Sequence, residues 1–252
     1  MTLASDSYYM FLRWMKKLVR NPILLFFSLF QPIIFLLLFT QLFSSFGLLL
    51  GVNYTVFATA GIVLQNAFSS AFQSGTAVVD DIKSGFLAKI LATPASRASI
   101  LLGRLLSDAF RVFAQSLIIL VLAYGLGVFP VTGFFGYFLI LFIVAFFGLA
   151  WSGISLALGL KTKSAETVFG IAGTLTFPLL FMSTALMDKK LMPEWMRNVS
   201  AYNPISFAVN AMRDLIMNGY LWNSFLLAFG VISLIAIITM GATFYEFKKV
   251  VS

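Results

Sequence analysis

Long apolar stretches recur along the chain and are separated by short polar or charged segments. Their apolar residues do not alternate with polar ones, which favours helices over the strands of a membrane barrel. Each stretch has about 20 residues or more, the length at which a helix crosses a bilayer. The pattern predicts six transmembrane helices, at about residues 22–44, 54–78, 98–126, 133–160, 165–187 and 221–245.

The N-terminal segment has two different faces. A helix over residues 4–20 places apolar side chains on one side, namely Tyr8, Phe11, Leu12, Met15 and Val19. The opposite side carries the cations Arg13, Lys16, Lys17 and Arg20. This arrangement is typical of a helix that lies in the membrane interface with its basic side toward anionic headgroups. A solvated helix end beside the first span is the alternative.

The second span is unusually polar for a helix surrounded by lipid. Amide and hydroxyl side chains recur along it at Gln65, Asn66, Ser69 and Gln73. Polar residues inside a membrane face other helices or a cavity, because lipid offers them no hydrogen-bond partners. We therefore expect this span to lie inside the helix bundle.

Charged residues are densest just after the second span. Residues 79–92 are expected to form a short helix that ends before Thr93-Pro94, where the proline interrupts helical hydrogen bonding. The segment mixes charged and large apolar side chains, namely Asp80, Asp81, Lys83, Phe86, Leu87 and Lys89. Such a mixture suits a helix that inserts into the groove of a partner, and a solvated loop helix is the alternative.

A second charged group follows on the third span. Arg104, Asp108 and Arg111 are spaced so that they lie on one face of a helix. They form either an ion-paired stripe at the cytoplasmic mouth or ordinary side chains that snorkel from a helix end to water. The sequence alone leaves both interpretations open.

Composition places the chain in a membrane. Hydrophobic residues make up 60% of the 252 positions, charged residues make up 10%, and the mean hydropathy is +0.98. A soluble domain carries about 25% charged residues and cannot bury this much apolar surface. We therefore predict a single-domain, all-α integral membrane protein over residues 1–252. The lack of Cys and His excludes disulfides, thiolate nucleophiles and imidazole metal sites, and no metal site is expected.

Basic residues are distributed unevenly between the two sides of the predicted spans. With the N-terminus inside, 13 of the 17 Lys and Arg residues fall in cytoplasmic segments. This asymmetry predicts a multi-pass protein of the cell membrane with both termini in the cytoplasm. Residues 188–218 then lie outside, and we expect a re-entrant hairpin of two short helices there. The N-x-[ST] triplets at Asn53 and Asn198 also fall outside, where glycosylation is feasible.

Three stretches together resemble a known family. Residues 80–97 read DDIKSGFLAKILATPASR, and residues 203–213 read NPISFAVNAMR. Residues 177–196 contain Phe177-Pro178, Ser183 and Pro193-Glu194-Trp195. In this order, and combined with the predicted spans, they resemble the permease subunits of type-2 ABC transporters, close to daunorubicin-resistance-like exporters. The resemblance covers essentially the whole chain.

The resemblance implies an export channel made by two permease subunits, a homodimer or a pair of close paralogues, docked on two copies of a cytoplasmic ATPase. The chain has no G-x-x-x-x-G-K-[ST] phosphate loop. ATP and Mg²⁺ would therefore be bound by a separate polypeptide, and no cofactor by this chain. We expect a permease subunit without its own nucleotide site, which moves a drug-like or lipid-like amphipathic substrate out of the cytoplasm.

Two sets of site residues follow from the resemblance. The helix over 79–92 would couple to the ATPase through Asp80, Asp81, Lys83, Phe86, Leu87, Lys89, Thr93 and Pro94. The second and fifth spans would line the substrate path at the dimer seam, through Gln65, Asn66, Ser69, Gln73, Thr174, Thr176, Phe177, Phe181 and Met182. Plain helix packing is the alternative for each path residue. The outer hairpin would close the exit.

Other functions fit the pattern less well. A permease for a lipid-linked polysaccharide shares this layout, and neighbouring genes for glycan synthesis would favour it. An intramembrane enzyme needs polar catalytic groups at depth, and the chain has no His and places its acidic residues at span ends or in loops. A scaffold without transport activity is the third alternative, and the coupling-like segment argues against it.

Overall fold

The computed structural model describes residues 3–42 and 54–251, and this part of the chain contains helices and turns but no strand. These described residues form ten α-helices in chain order: α1 Leu3–Val19, α2 Pro22–Leu42, α3 Tyr54–Lys83, α4 Phe86–Leu91, α5 Arg97–Gly125, α6 Gly133–Thr162, α7 Ala165–Phe181, α8 Glu194–Tyr202, α9 Pro204–Met217 and α10 Trp222–Val251. A 3₁₀ turn, Lys189–Leu191, precedes α8. The prediction of an all-helical fold is confirmed.

Five of these helices are long and apolar enough to cross a membrane, namely α2, α3, α5, α6 and α10. The remaining predicted span, 165–187, corresponds to α7, an apolar helix of 17 residues. A helix of that length extends about 26 Å, slightly less than the hydrocarbon core of a bilayer. Five candidate spans are therefore present in the described part of the chain, and the sixth crossing stays a prediction. The predicted outer loop 45–53, with Asn53, lies outside the described residues.

Helix α3 forms the centre of the bundle. It packs against α6 along most of its length and also contacts α2, α5, α7 and α9. Phe68 of α3 meets Trp151 and Phe147 of α6, with ring centroids 5.1 and 6.1 Å apart, and all three side chains are buried. The close approach of α3 and α6 depends on glycine, because a Cβ at Gly75 would lie 2.2 Å from the carbonyl oxygen of Ser155.

The predicted helix over 79–92 is wrong as a single element. Helix α3 continues through the second span to Lys83, and α4 begins only at Phe86. Gly85 separates them with φ of 67°, a left-handed conformation that glycine adopts without the steric cost of a Cβ. The α3 helix continues because Val78 and Val79 are buried. The boundary is not visible in the sequence, because the run of charged residues begins in α3 and continues into α4.

Two short helices follow α7 where a hairpin over 188–218 was predicted. Asn203 ends α8, and its side chain accepts a hydrogen bond from the backbone N–H of Ile205 at the start of α9. The same amide donates to the carbonyl oxygens of Leu179 and Met182 at the end of α7. Helix α9 is buried along most of its length and packs against α10, α3 and α6. Re-entry into the outer leaflet stays a prediction.

Arg213 holds the start of α3 against the segment after α7. Its Nε donates to the carbonyl oxygen of Phe57 at 3.2 Å, and its Nη2 donates to that of Ala185 at 3.0 Å. The guanidinium also lies 3.5 Å above the Phe57 ring. Gly61 permits this contact, because a Cβ there would lie 2.1 Å from the Ala185 carbonyl oxygen.

Candidate functional site

A cavity of about 370 Å³ separates α2 from α3. On α3 it is lined by the predicted path residues Gln65, Asn66, Ser69 and Gln73, together with Ile62 and Ser70. On α2 it is lined by Ile23, Phe27, Ser28, Gln31, Pro32 and Phe35, and Asn21, just before α2, also lines it. Amides and hydroxyls therefore face aromatic and aliphatic side chains across an uncharged space.

Helix periodicity explains why the polar residues of α3 meet in one place. Gln65, Ser69 and Gln73 follow one another at intervals of four, so their side chains lie one above the other on a single face. Asn66 lies beside them and is 5% exposed, and its Nδ2 has no hydrogen-bond partner among the described residues. Sequence analysis correctly expected these residues to face a cavity or a helix.

Pro32 adds a backbone acceptor to the opposite wall. It lies inside α2 and has no N–H, so the carbonyl of Ser28, four residues earlier, lacks its usual intrahelical donor. The Ser28 hydroxyl donates to the carbonyl of Leu25 and accepts from Nε2 of Gln115 at 2.8 Å. Sequence analysis missed Ser28 and Gln31, although polar residues in an otherwise apolar span were the available signal.

A chain of hydrogen bonds connects this wall to α5. The Ser70 hydroxyl donates to Oε1 of Gln115 at 2.6 Å, so Gln115 bridges α3 and α2 from its position on α5. Nη2 of Arg111, four residues before Gln115, donates to the Ser70 carbonyl oxygen at 2.5 Å. Its Nη1 is 3.5 Å from Oε1 of Gln73. The inner end of the cavity thus rests on a buried arginine.

That arginine belongs to a buried group of three charges on α5. Asp108 Oδ2 lies 3.1 Å from Nε of Arg104, and Asp108 Oδ1 lies 3.2 Å from Nη2 of Arg111. Ser74 of α3 donates its hydroxyl to Asp108 and accepts from Arg104. All three charged side chains are less than one tenth exposed. The ion-paired stripe is therefore confirmed, and simple snorkelling of these side chains is wrong.

A second cavity of about 350 Å³ continues from the first, and Asn21 and Gln73 line both. Its walls include Trp14 and Lys17 of α1, Asp80 at the end of α3, and the three charged residues of α5. Phe169 is the contribution of α7. The two cavities together follow α3 from Ile62 to Asp80, from uncharged amides to ionised groups.

Helix α1 packs against α5 and reaches the end of α3. Gly103 allows this contact, because a Cβ there would lie 2.5 Å from Cβ of Met10. Asp81 is buried and lies 3.2 Å from Nζ of Lys17 and 3.8 Å from Nη2 of Arg13. Partial burial lowers the pKa of Arg13, an effect that the carboxylate of Asp81 opposes.

The basic face of α1 is consequently divided between two environments. Arg13 and Lys17, predicted to face the membrane surface, also contact Asp81, because a buried carboxylate requires a nearby cation, and the Lys17 side chain is still 49% exposed. Lys16, Lys17 and Arg20 are all exposed. Their contact with a membrane surface stays a prediction.

The predicted coupling residues are similarly divided by burial. Leu87 is 7% exposed and packs with Ile90 inside the bundle, and Asp81 is also buried. Phe86 is half-buried under Arg13, whose Cζ is 3.2 Å from the ring centroid. The exposed members are Asp80, Lys83, Lys89, Thr93 and Pro94. These exposed residues can contact a partner without rearrangement.

The predicted path residues of the fifth span lie away from the α2–α3 cavity. Phe177 and Phe181 are 62% and 53% exposed and stack on each other along one side of α7. Thr174 and Thr176 donate their hydroxyls to backbone carbonyls four residues earlier in the same helix. Met182, at the end of α7, does not line the cavity either. Within this chain, the residues predicted for the two walls therefore do not line one common cavity.

Residues 3–42 and 54–251 contain no group of three or more acidic, Cys or His side chains that could hold a metal ion. The cavity donors are amides and hydroxyls. Amides and hydroxyls in an apolar cleft recognise an uncharged polar group by hydrogen bonding.

Comparison with known proteins agrees with this architecture. The sequence model of the family described as ABC-2 type transporter matches residues 7–217. The chain is 31% identical to the daunorubicin resistance ABC transporter permease protein DrrB1 of Streptomyces coeruleorubidus, over 77% of this chain and 69% of that protein. It is 30% identical to a protein named as transport permease ycf38 of Cyanophora paradoxa, over 79% and 70%. It is 23% identical to a doxorubicin resistance permease, DrrC, of Mycobacterium tuberculosis, over 82% and 75%. The chain belongs to the ABC-2 type transporter family, as a permease.

Proposed function

We propose that this chain is the membrane-spanning subunit of an ATP-driven exporter that moves a drug-like or lipid-like amphipathic substrate out of the cytoplasm. The observation that carries the proposal is the family match over residues 7–217, with drug-resistance permeases among the relatives. ATP hydrolysis is assigned to a separate ABC ATPase in two copies. A second permease subunit, identical or closely related, completes the channel.

The proposed topology has six crossings with both termini in the cytoplasm of a cell-membrane protein. Helix α7 makes the fifth crossing together with residues 182–187, because its 17 residues alone span about 26 Å of a hydrocarbon core of about 30 Å. The excess of Lys and Arg in the segments assigned to the cytoplasm supports this orientation. Residues 188–218 then cap the outer end.

The ATPase is proposed to dock on the exposed side of α4 and the turns beside it. This surface consists of Lys83, Ala88, Lys89, Thr93 and Pro94, all of which are exposed. Leu87 and Ile90 on the opposite side of α4 pack into the bundle, so a displacement of α4 by the ATPase would be transmitted to α1 and α5. An amphipathic helix with one anchored face suits insertion into a partner groove.

Co-purification from the native host in mild detergent tests the proposal. We expect a soluble ATPase with a phosphate loop to be recovered in equal amounts with the permease and to hydrolyse ATP. Variants Ala88→Glu and Lys89→Glu, which change only exposed positions, should reduce its recovery. Lys190→Glu, exposed in the segment after α7, is the matched control and should recover the ATPase normally.

Two results would contradict the proposal in different ways. Recovery of the permease alone, without any ATPase, would contradict the assignment to an ATP-driven exporter. It would favour the alternative of a membrane scaffold without transport activity. Normal recovery with both α4 variants would leave the exporter in place and move the docking surface elsewhere. Truncating Leu87 would not discriminate, because its burial makes a loss of folding the first consequence.

A permease for a lipid-linked polysaccharide is the second candidate. One observation favours it: the α2–α3 cavity presents several amides and hydroxyls and no charged side chain. Hydroxyl-rich heads of lipid-linked sugars would find hydrogen-bond partners there. Transport assays with vesicles that contain the reconstituted complex separate the two functions, with a lipid-linked sugar in one set and an amphipathic drug in the other.

A further inference from the structure

We propose that the cavity between α2 and α3 is a binding site for an amphiphile with an uncharged, hydrogen-bonding headgroup, formed by the residues of this chain alone. Binding itself is independent of the proposed function. Only the identification of the bound molecule as the transported substrate rests on that function.

The first argument is an unsatisfied donor. Asn66 is 5% exposed, it lines the cavity, and its Nδ2 has no partner among the described residues. A buried amide N–H without an acceptor is unfavourable, and native structures contain few such groups. A leucine at this position would fit an apolar bundle without that cost. The amide is therefore explained by an acceptor supplied from outside the chain.

The second argument is the complementary wall. Pro32 leaves the Ser28 carbonyl without its usual helical donor, and Gln31 adds an amide that offers both donors and an acceptor. The cavity thus combines donors and acceptors on both sides. Phe27 and Phe35 of α2 and Ile62 of α3 supply apolar surface for the rest of the molecule. This is the usual composition of a site for an amphipathic ligand.

The third argument is charge. None of the residues that line the cavity is ionised, so a charged headgroup would be desolvated there without a counter-ion. Arg104 and Arg111 share one carboxylate, Asp108, so the inner end is net positive and repels a cation. Arg111 does not line this cavity: its Nη donors bond to Asp108, Ser70 and Gln73, and its Nε is buried without a partner among the described residues. An uncharged headgroup is the chemistry that remains.

The length of the cavity fits an extended molecule. Its lining on α2 runs from Ile23 to Phe35 and on α3 from Ile62 to Gln73, about 16–18 Å of helix axis in each case. Phe27 is 63% exposed, so the α2 side of the cleft is open at the surface of the bundle. A headgroup can therefore bind among the amides while an acyl or aromatic portion extends toward the lipid.

Protection of an introduced cysteine tests the site directly, because the natural chain contains none. Ser69→Cys places a single thiol at the cavity, and Thr174→Cys places one at an exposed position of α7 as the matched control. Both variants are inserted into phosphatidylcholine nanodiscs and labelled with N-ethylmaleimide. The rate is measured by mass spectrometry with three dodecyl probes at low mole fraction: the uncharged maltoside, the cationic trimethylammonium and the anionic sulfate.

We expect dodecyl maltoside to slow labelling at position 69 about tenfold when it is present at about ten times its Kd. The cationic and anionic probes should have little effect there, and no probe should affect position 174. Adding Asn66→Leu to Ser69→Cys should abolish the protection without lowering the melting temperature. If that double variant does not fold, Gln31→Leu tests the same cavity from α2.

Three outcomes would overturn the site. Equal protection by all three probes would indicate nonspecific partitioning into lipid. Preference for the cationic or anionic probe would contradict the headgroup chemistry. A thiol at position 69 that is unreactive without any probe would show that another helix, such as one from a second subunit, fills the cavity. None of these experiments needs the ATPase, so their failure and the failure of the proposed function are distinguishable.

Discussion

Helices α3 and α7 were both predicted to line the substrate path, yet their polar side chains have different hydrogen-bond partners. In α3 the amides face a cavity, and hydroxyls such as that of Ser70 bond to other helices. In α7 the hydroxyls of Thr174 and Thr176 bond to carbonyls of their own helix, and the helix is buried at few positions.

The difference shows which polar residues carry information about a membrane helix. A threonine hydroxyl can reach the carbonyl four residues earlier, so threonine is satisfied even in a helix surrounded by lipid. A glutamine or asparagine amide has two donors and an acceptor, and its own helix does not satisfy all of them. Amides therefore mark contact with a neighbouring helix, water or a ligand more reliably than hydroxyls do.

The largest effect is expected when the buried carboxylate of Asp108, which contacts Ser74 of α3, is removed. Asp108→Asn keeps the shape of the side chain but leaves Arg104 and Arg111 without a counter-charge, and Ser74 of α3 loses a charged acceptor. We expect a loss of about 3–5 kcal/mol in the free energy of unfolding. Thermal unfolding in detergent measures it.

The matched control for this test is Glu166→Gln at the start of α7. Glu166 is exposed and accepts a hydrogen bond from Ser164, so its neutralisation should leave the melting temperature unchanged. Equal melting temperatures for the Asp108 and Glu166 variants would mean that the buried ion pairs do not stabilise the bundle.

A glycine exchange compares how closely the two helices pack. A Cβ at Gly75 of α3 would lie 2.4 Å from Oγ of Ser155, whereas nothing lies within 4 Å of a Cβ at Gly170 or Gly173 of α7. Gly75→Ala should therefore cost about 1–3 kcal/mol through displacement of α6. Gly170→Ala should be neutral or stabilising by up to about 1 kcal/mol, because alanine favours the helix. Destabilisation by the second variant would show that α7 packs against a partner subunit.

The sequence predicted most of the fold because its dominant signal was length and hydropathy. Starts near Pro22, Tyr54, Arg97, Gly133 and Trp222 agree with the observed helices within a residue or so. The end of α3 was placed too early, since its last turn carries Asp80, Asp81 and Lys83, charges that pattern analysis assigns to a loop. Burial of Asp81 beside α1 could not be read from a single segment, because it depends on two of them, α1 and α3.

The candidate site was only half predictable for a related reason. The row Gln65, Ser69 and Gln73 was visible because helix periodicity is local. Its partners on α2 were not, because periodicity tells which face is polar but not which helix that face meets. The family resemblance suggested the fifth span as the opposite wall, whereas within one subunit the structure places Ser28 and Gln31 there.

A smaller effect on stability should distinguish the unpaired amide of Asn66 from the hydrogen-bonded amide of Gln115. Asn66→Leu removes a buried donor that has no partner among the described residues, so we expect the protein to become more stable by about 1 kcal/mol. Gln115→Leu, in contrast, breaks two side-chain bonds at 2.6 and 2.8 Å and should destabilise it. Chemical or thermal unfolding of both variants measures the signs. A loss of stability for Asn66→Leu would indicate a structural role for that amide and weaken its assignment to a ligand.

The smallest effect is expected at Thr176, and it decides whether hydroxyls of α7 are satisfied in the way described. Thr176→Val keeps the branched shape and removes only the hydroxyl, which bonds to the Ala172 carbonyl at 2.5 Å in the same helix. That carbonyl belongs to the helical backbone, so it loses an additional donor rather than its usual helical one. Stability should therefore change by less than about 0.5 kcal/mol, and transport by the assembled complex should be unaffected. A large loss of transport with unchanged stability would instead mean that the α7 hydroxyl reorients toward a substrate in the assembled complex, and α7 would rejoin α3 as a wall of the path.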